Sequence, residues 1–245
     1  KRCAEILHLG SLNQQSDCEN NVSAQRNTKL IESNSKLVIF EKPAYRENLE
    51  YTVESRLAKN SRDDSKQAKE RVKTILEDLP ASDFAIIFCL KPSTVNSLYK
   101  YLLKDKKLKD RITLSHGNEK TLSKTDAIQN EAMWTNGEKT IMISNSKFAL
   151  GIDKRNVRLV IQYALPPDLD DYIQASGRAG RDGKPARCIL LYRYNDIFTA
   201  ARTTDQTATD GEKARNKDSR NLLVSYCLDS QSCRHSLMQK ALHCG

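Results

Sequence analysis

Phe84-Ala85-Ile86-Ile87-Phe88-Cys89 is an unbroken apolar run. A strand with one face in water alternates apolar and polar residues, whereas a strand covered on both faces has no need of a polar position. The run therefore predicts a strand in the middle of a sheet, with helices on either side. Working downstream, Ser93 opens an expected helix through Leu103, and Ile112–Leu114 reads as a strand. Leu122–Trp134 reads as a helix closed by Asn136-Gly137, followed by strands at Thr140–Ile143 and Val157–Tyr163. Leu169–Ser176 is an expected helix and Cys188–Tyr192 the last strand. Strands alternating with helices imply βαβ units and a doubly wound parallel sheet, so the fold class is α/β.

The flanks are less regular. Residues 1–10 read as the end of a helix stopped by Gly10, and Ser11–Ser35 as a polar insertion. Lys36–Phe40 and Leu49–Val53 are short strand candidates. Residues 201–220 are polar without apolar periodicity and are expected to form a loop. Helical character returns from Leu222 to Leu242. No internal repeat is visible.

The chain has 245 residues, 38% hydrophobic and 29% charged, which suits a globular protein with a core. No stretch is long and apolar enough for a membrane span, and the N-terminus has no signal-peptide pattern. The chain starts at Lys1 rather than Met and is expected to be a segment of a longer polypeptide. A net charge of +9 favours a polyanionic partner, because lysines and arginines near phosphates release condensed counterions. Of the seven cysteines, Cys89 and Cys188 sit inside apolar runs and read as core residues of a protein kept in a reducing compartment.

The chemistry is concentrated in Gly177-Arg178-Ala179-Gly180-Arg181-Asp182-Gly183. Two arginines three positions apart at a helix end project to one face. The glycines around them allow close backbone approach, and planar multi-donor cations suit a triphosphate on which negative charge builds. Taken alone, such a stretch is better read as a glycine-rich turn with exposed arginines. Gly183-Lys184 is no phosphate loop: the preceding glycine, Gly177, is one position too far away, and Pro185 stands where a Ser or Thr would hold magnesium. Nor does the chain contain an Asp-Glu pair of the kind that holds nucleotide-bound magnesium. By itself the chain is expected not to hydrolyse ATP.

The surrounding sequence, ISNSKFALGIDKRNVRLVIQYALPPDLDDYIQASGRAGRDG from Ile143 to Gly183, closely resembles motifs V and VI of the RecQ branch of superfamily 2 helicases. Phe148, Gly151-Ile152-Asp153-Lys154, Val157-Arg158, Pro166, Tyr172, Gln174 and Gly177–Gly183 match in register. Weaker matches are Arg46-Glu47-Asn48-Leu49, the strand at Ile86–Cys89 (motif IV), Ser115-His116-Gly117, Asp196-Ile197-Phe198, Tyr226-Cys227 and Cys233-Arg234. The departures are Ser144-Asn145 and Lys147 in motif V, Ala149-Leu150, and Ala175 where the family has a glutamate.

The resemblance implies a RecA-like second motor lobe over residues 36–200, preceded by the end of another lobe and an insertion over 1–35. A loop over 201–220 and the start of a zinc-binding helical subdomain over 221–245 would follow. It implies an ATP-dependent 3′-to-5′ DNA helicase, acting in recombination and repair. Arg178 and Arg181 would meet the γ-phosphate and Gln174 the nucleotide edge, while Gly151 and Asp153 would couple nucleotide to DNA. Lys91, His116 and Asn145 would contact DNA. ATP with Mg2+ would be held mainly by the protein's own N-terminal RecA-like lobe. Cys233 is the candidate first zinc ligand, with zinc expected of the full-length protein rather than of this chain alone. The implied partners are single-stranded and forked DNA. The chain is expected to be monomeric, free of membranes, and nuclear in a eukaryote or cytoplasmic otherwise. A DEAD-box-type RNA helicase lobe and a non-catalytic, helicase-derived DNA-binding scaffold are the alternatives; Gln174-Ala175, where the former has a His-Arg pair, speaks against it.

Overall fold

The computed structural model describes residues 46–55, 61–145, 154–193, 196 and 209–243. The chain divides into two compact units, one spanning Glu47–Val224 and the other including Ser225–Gly245. The first unit holds a sheet of six parallel strands. These are β1 (Leu49–Ser55), β2 (Phe84–Cys89), β3 (Ile112–Ser115), β4 (Ile141–Asn145), β5 (Val157–Gln162) and β6 (Ala186–Tyr192), in the order β1-β6-β5-β2-β4-β3.

The apolar run quoted first forms β2, between β5 and β4, and all of its residues are buried. Its side chains alternate between two cores. Ala85, Ile87 and Cys89 join the core built with Val72 and Leu76 of α1 (Ser61–Glu77) and Val95 and Leu98 of α2 (Pro92–Leu102). Phe84, Ile86 and Phe88 join the opposite core, with Trp134 of α3 (Lys124–Asn136) and Ala175 of α4 (Leu169–Ser176). This is the doubly wound parallel α/β architecture that the pattern predicts, and it agrees with the RecA-like lobe that the resemblance implies.

Local chemistry sets the helix ends. α3 begins at Lys124 rather than Leu122, because the Ser123 hydroxyl accepts the Asp126 amide at 3.0 Å as an N-cap. It stops at Gly137, whose φ of +90° closes the last turn. At the edge of the sheet where β2 and β5 begin, Lys154 lies 3.8 Å from the centre of the Phe84 ring and donates to the Thr135 carbonyl at 2.7 Å. Burial depresses its pKa. This lysine of motif V is therefore a packing element, joining α3 to β2.

Two elements differ from expectation. α1 lies where the pattern above assigns nothing, although Ala68, Val72, Ile75, Leu76 and Leu79, all buried, follow helical spacing. The loop expected over 201–220 is corrected in its second half, since α5 runs from Asp210 to Leu228. Its first turns carry Glu, Lys, Ala and Arg, which are good helix formers, with Asp210 and Glu212 at the N-terminal end where the helix dipole favours acids. Gly211, Lys217 and Asp218 are exposed, and Arg220 and Leu223 are buried. α6 (Arg234–His243) follows. Residues 1–45, including the expected strand at Lys36–Phe40, and residues 201–208 lie outside the described residues.

Candidate active site

α4 carries the motif VI residues down from the end of β5. Asp168 caps it, its carboxylate accepting the Asp171 amide at 2.8 Å. Leu169, Tyr172, Ala175 and Ser176 bury one face, and Gln174 is exposed. The Gly177 amide donates to the Ile173 carbonyl at 2.8 Å, and a tighter turn then passes through Arg178 and Ala179, the latter fully buried. Gly180, with φ +55°, reverses the chain and donates its amide to the Val157 carbonyl at 2.8 Å.

Three anchors fix this loop. The Asn48 side-chain amide donates to the carbonyls of Gly180 at 2.9 Å and Lys184 at 2.8 Å. The Arg158 guanidinium pairs with the Asp182 carboxylate at 2.5 Å and donates to the Pro185 carbonyl at 3.0 Å. That carboxylate also accepts the Lys184 amide at 3.2 Å, and Arg158 beside it holds the Asp182 carboxyl below the usual carboxylate range. The Asp182 amide in turn donates to the Arg155 carbonyl at 3.3 Å.

The loop backbone thus sits where β1, β5 and β6 begin. A helical side chain leans toward the N-terminus of its helix, and Arg178 reaches back along α4 into a cleft at the other ends of the strands. Asp171, Gln174 and Ala175 of α4, Phe88–Leu90, Gln162 and the Pro166-Pro167 turn line that cleft. Burial lowers the Arg178 pKa, and the nearby Arg181 charge lowers it further. Burial raises the Asp171 pKa, and Asp168 and Asp170 push it the same way. Arg181 donates from Nε to the Gly177 carbonyl at 3.3 Å. Two guanidiniums that repel each other at a partly desolvated site fit a multivalent anion, whose charge offsets both costs.

The residues expected to touch DNA fall on neighbouring strands. Lys91 follows β2, Asn145 ends β4 and His116 follows β3, so all three lie at the C-terminal edge of β2-β4-β3. Lys91 is exposed at the N-cap of α2, before Pro92. Asn145 is 8% exposed, and its Oδ1 is buried without a hydrogen-bond partner among the described residues. His116 is 4% exposed; its Nδ1 accepts the Asn118 amide at 3.3 Å, so Nε2 carries the proton toward Asn96 Oδ1 at 3.1 Å. Burial lowers its pKa and keeps it neutral. Next to it, the Ser115 hydroxyl donates to Glu131 at 2.6 Å and the Ser144 hydroxyl to the Ser115 carbonyl at 2.8 Å. Gly151 and Asp153 lie outside the described residues.

Cys233 is half-buried with Sγ 3.9 Å from His235 Nδ1, and no cluster of three potential metal ligands occurs among the described residues. Burial pushes the neighbouring Cys227 thiol up to about 12, as for a protonated core group. The described residues do not by themselves make up a zinc donor set. The sequence reading missed the roles of Asn48, Arg158 and Asp182. Each was visible as a polar residue next to a strand end or glycine, but only the fold joins them.

Residues 67–183 match the family model of the helicase conserved C-terminal domain. A Caenorhabditis elegans protein named as an ATP-dependent DNA helicase Q1 is 35% identical over 189 residues, covering 77% of this chain and 27% of that protein. The RecQ-like DNA helicase BLM of Xenopus laevis is 32% identical over 200 residues, 80% of this chain and 14% of the relative. The ATP-dependent DNA helicase hus2/rqh1 of Schizosaccharomyces pombe is 35% identical over 150 residues, 61% of this chain and 11% of the relative. The chain thus spans about a quarter or less of the length of these relatives. All three are named as DNA helicases, which weighs against the RNA-helicase alternative. The parallel sheet, the arginine loop at the end of α4 and these relatives together identify the chain as a member of the RecQ branch of superfamily 2 helicases, whose C-terminal RecA-like lobe it carries.

Proposed function

We propose that this lobe closes over ATP held on a second RecA-like lobe of the same polypeptide, as half of an ATP-driven 3′-to-5′ DNA helicase acting in recombination and repair. Arg178 and Arg181 face the γ-phosphate, and Gln174, exposed one turn before Arg178, faces the nucleotide edge. The observation that carries this reading is the anchored loop from Gly177 to Gly183, which places two guanidiniums close enough for one to depress the pKa of the other. ATP bound with Mg2+ supplies the phosphoryl group, and this lobe contributes charge and orientation. Gly151 and Asp153 are proposed to link nucleotide to DNA.

Lys91 and Asn145 are proposed to follow the phosphates of a single strand along the edge of β2-β4-β3, with His116 shaping that edge from within. Contacts to phosphates rather than bases suit a translocase indifferent to sequence. On the same reading the DNA partners are single-stranded and forked, the 245-residue chain is a monomer, and the protein works in the nucleus of a eukaryote or otherwise in the cytoplasm. Zinc, with Cys233 as its first ligand, is part of this proposal for the full-length protein alone. The test is steady-state ATP hydrolysis with DNA, alongside nucleotide binding, for Arg181→Ala in the full-length protein. Loss of turnover with ATP binding retained is expected. Parental turnover would replace the motor reading by that of a DNA-binding scaffold.

A further inference from the structure

The residue just ahead of β1 is tied to the arginine loop far along the chain. The Asn48 backbone carbonyl accepts the Ala186 amide at 2.9 Å, which starts the pairing of β1 with β6. Its side-chain amide spends one hydrogen on the Gly180 carbonyl at 2.9 Å and the other on the Lys184 carbonyl at 2.8 Å. These two carbonyls stand on either side of the Arg181–Gly183 turn, so a single side chain closes the base of that turn.

The fit is tight. A Cβ added at Gly180 would lie 2.5 Å from Asn48 Nδ2 and 2.9 Å from the Lys184 carbonyl oxygen. An aspartate would match asparagine in shape but would turn an ionised carboxylate toward two carbonyl oxygens. A serine or alanine would not span the gap. The Arg158–Asp182 pair holds the outer side of the same turn, leaving Asn48 as the inner staple.

We propose that Asn48 is a positioning residue for Arg178 and Arg181, holding their loop closed through the carbonyls of Gly180 and Lys184. The inference rests on reading those arginines as the phosphate-facing pair. Asn48 touches no reacting group; it acts by holding the backbone that aims both guanidiniums.

The experiment compares Asn48→Asp, Asn48→Ala, Arg181→Ala and the double variants in the full-length protein, by steady-state ATP hydrolysis with single-stranded DNA. Small misplacement of a catalytic group costs up to about 100-fold in rate. Either Asn48 variant is therefore expected to lose roughly 10- to 100-fold in kcat, with KM for ATP and affinity for DNA nearly unchanged. In the Arg181→Ala background the same change should add little further loss. A merely structural asparagine would instead lower kcat and DNA affinity together and would add its loss to that of Arg181→Ala. If Asn48→Asp fails to fold, Asn48→Ala, which removes the donors without adding charge, carries the test. Parental kcat in the Asn48 variants, with Arg181→Ala inactive, or losses that simply multiply, would overturn the inference while leaving the motor reading intact. Parental turnover of Arg181→Ala would remove the motor reading and the inference with it.

Discussion

The two polar edges of the sheet use their hydrogen bonds in opposite ways. Where β1, β5 and β6 begin, Asn48, Arg158 and Asp182 spend their donors and acceptors on backbone and on each other, and the loop they hold presents Arg178 and Arg181. Where β3 and β4 end, the hydroxyls and the His116 ring bond their neighbours, while the Asn145 Oδ1 is buried without a partner among the described residues. His116 bonds Asn96 and the Asn118 amide, Ser115 bonds Glu131, and Ser144 bonds the Ser115 carbonyl. The first edge is a mount for a half-buried arginine pair, whereas the second is an internal brace on which Lys91 is the exposed cation among the three expected DNA contacts. A polar residue at the functional edge of a parallel sheet is thus as much a candidate for scaffolding as for ligand contact, and hydrogen-bond saturation separates the two.

The largest effect expected from this contrast is on turnover. In the full-length protein, Arg181→Ala should slow hydrolysis by roughly 10³–10⁵, about 4–7 kcal/mol, with ATP binding nearly intact. A lysine there should restore little, because an ammonium lacks the planar fork. Hydrolysis at the parental rate would erase the distinction between mount and brace.

Next in size is a pair of glycine substitutions on the mount. Gly183→Ala meets only its φ of +79°, with nothing within 4 Å, and should cost about 1–2 kcal/mol. Gly180→Ala meets φ +55° as well as Asn48, and should cost more by about 0.5–1.5 kcal/mol for each displaced bond. Denaturant midpoints of the two variants measure the difference, and equal costs would show that Asn48 holds nothing.

The brace should reveal itself in pH dependence. His116 is neutral when folded and has a depressed pKa, so below the ordinary histidine value of about 6.5 the unfolded chain binds a proton that the folded chain does not. Its contribution is therefore present above that pH and lost as pH falls from there toward the folded pKa. Replacing His116 by glutamine should flatten the stability profile in this range. A profile unchanged by the substitution would place His116 outside the brace.

The smallest effect expected is at Lys91. Binding of single-stranded DNA to the 245-residue chain should be weak and salt-sensitive, and Lys91→Ala should reduce the logarithmic salt slope by about 0.7, one phosphate contact. An unchanged slope would leave this edge without a phosphate ligand at Lys91.

Most of the sheet could be read in advance because a doubly covered strand has to be apolar throughout. Phe84–Cys89 announces that, and Leu169–Ser176 is flanked by an aspartate cap and a glycine. α1 went unread although its apolar spacing was present, because its charged residues dominate a segment with few hydrophobic ones. The first half of α5 has a loop-like composition because a helix can rest on propensity without an apolar stripe. In the site, Arg178 and Arg181 were legible as glycine-flanked arginines. The bonding of His116 was not, since its partner Asn96 lies twenty positions away and on another element. Nor was the staple at Asn48, whose partners lie 132 and 136 residues downstream.

That separation has a consequence for how the lobe comes into being. Contacts between distant parts of a chain form late and slowly, because the intervening loop must first lose its freedom. β1 emerges from the ribosome first and waits for β6, the last strand of the sheet, before its backbone has a partner. Asn48 cannot grip the Gly180 turn until the residues between them have been made and folded. A nascent or partly folded lobe therefore holds its arginines unaimed, and competence to act on a nucleotide arrives together with completion of the sheet.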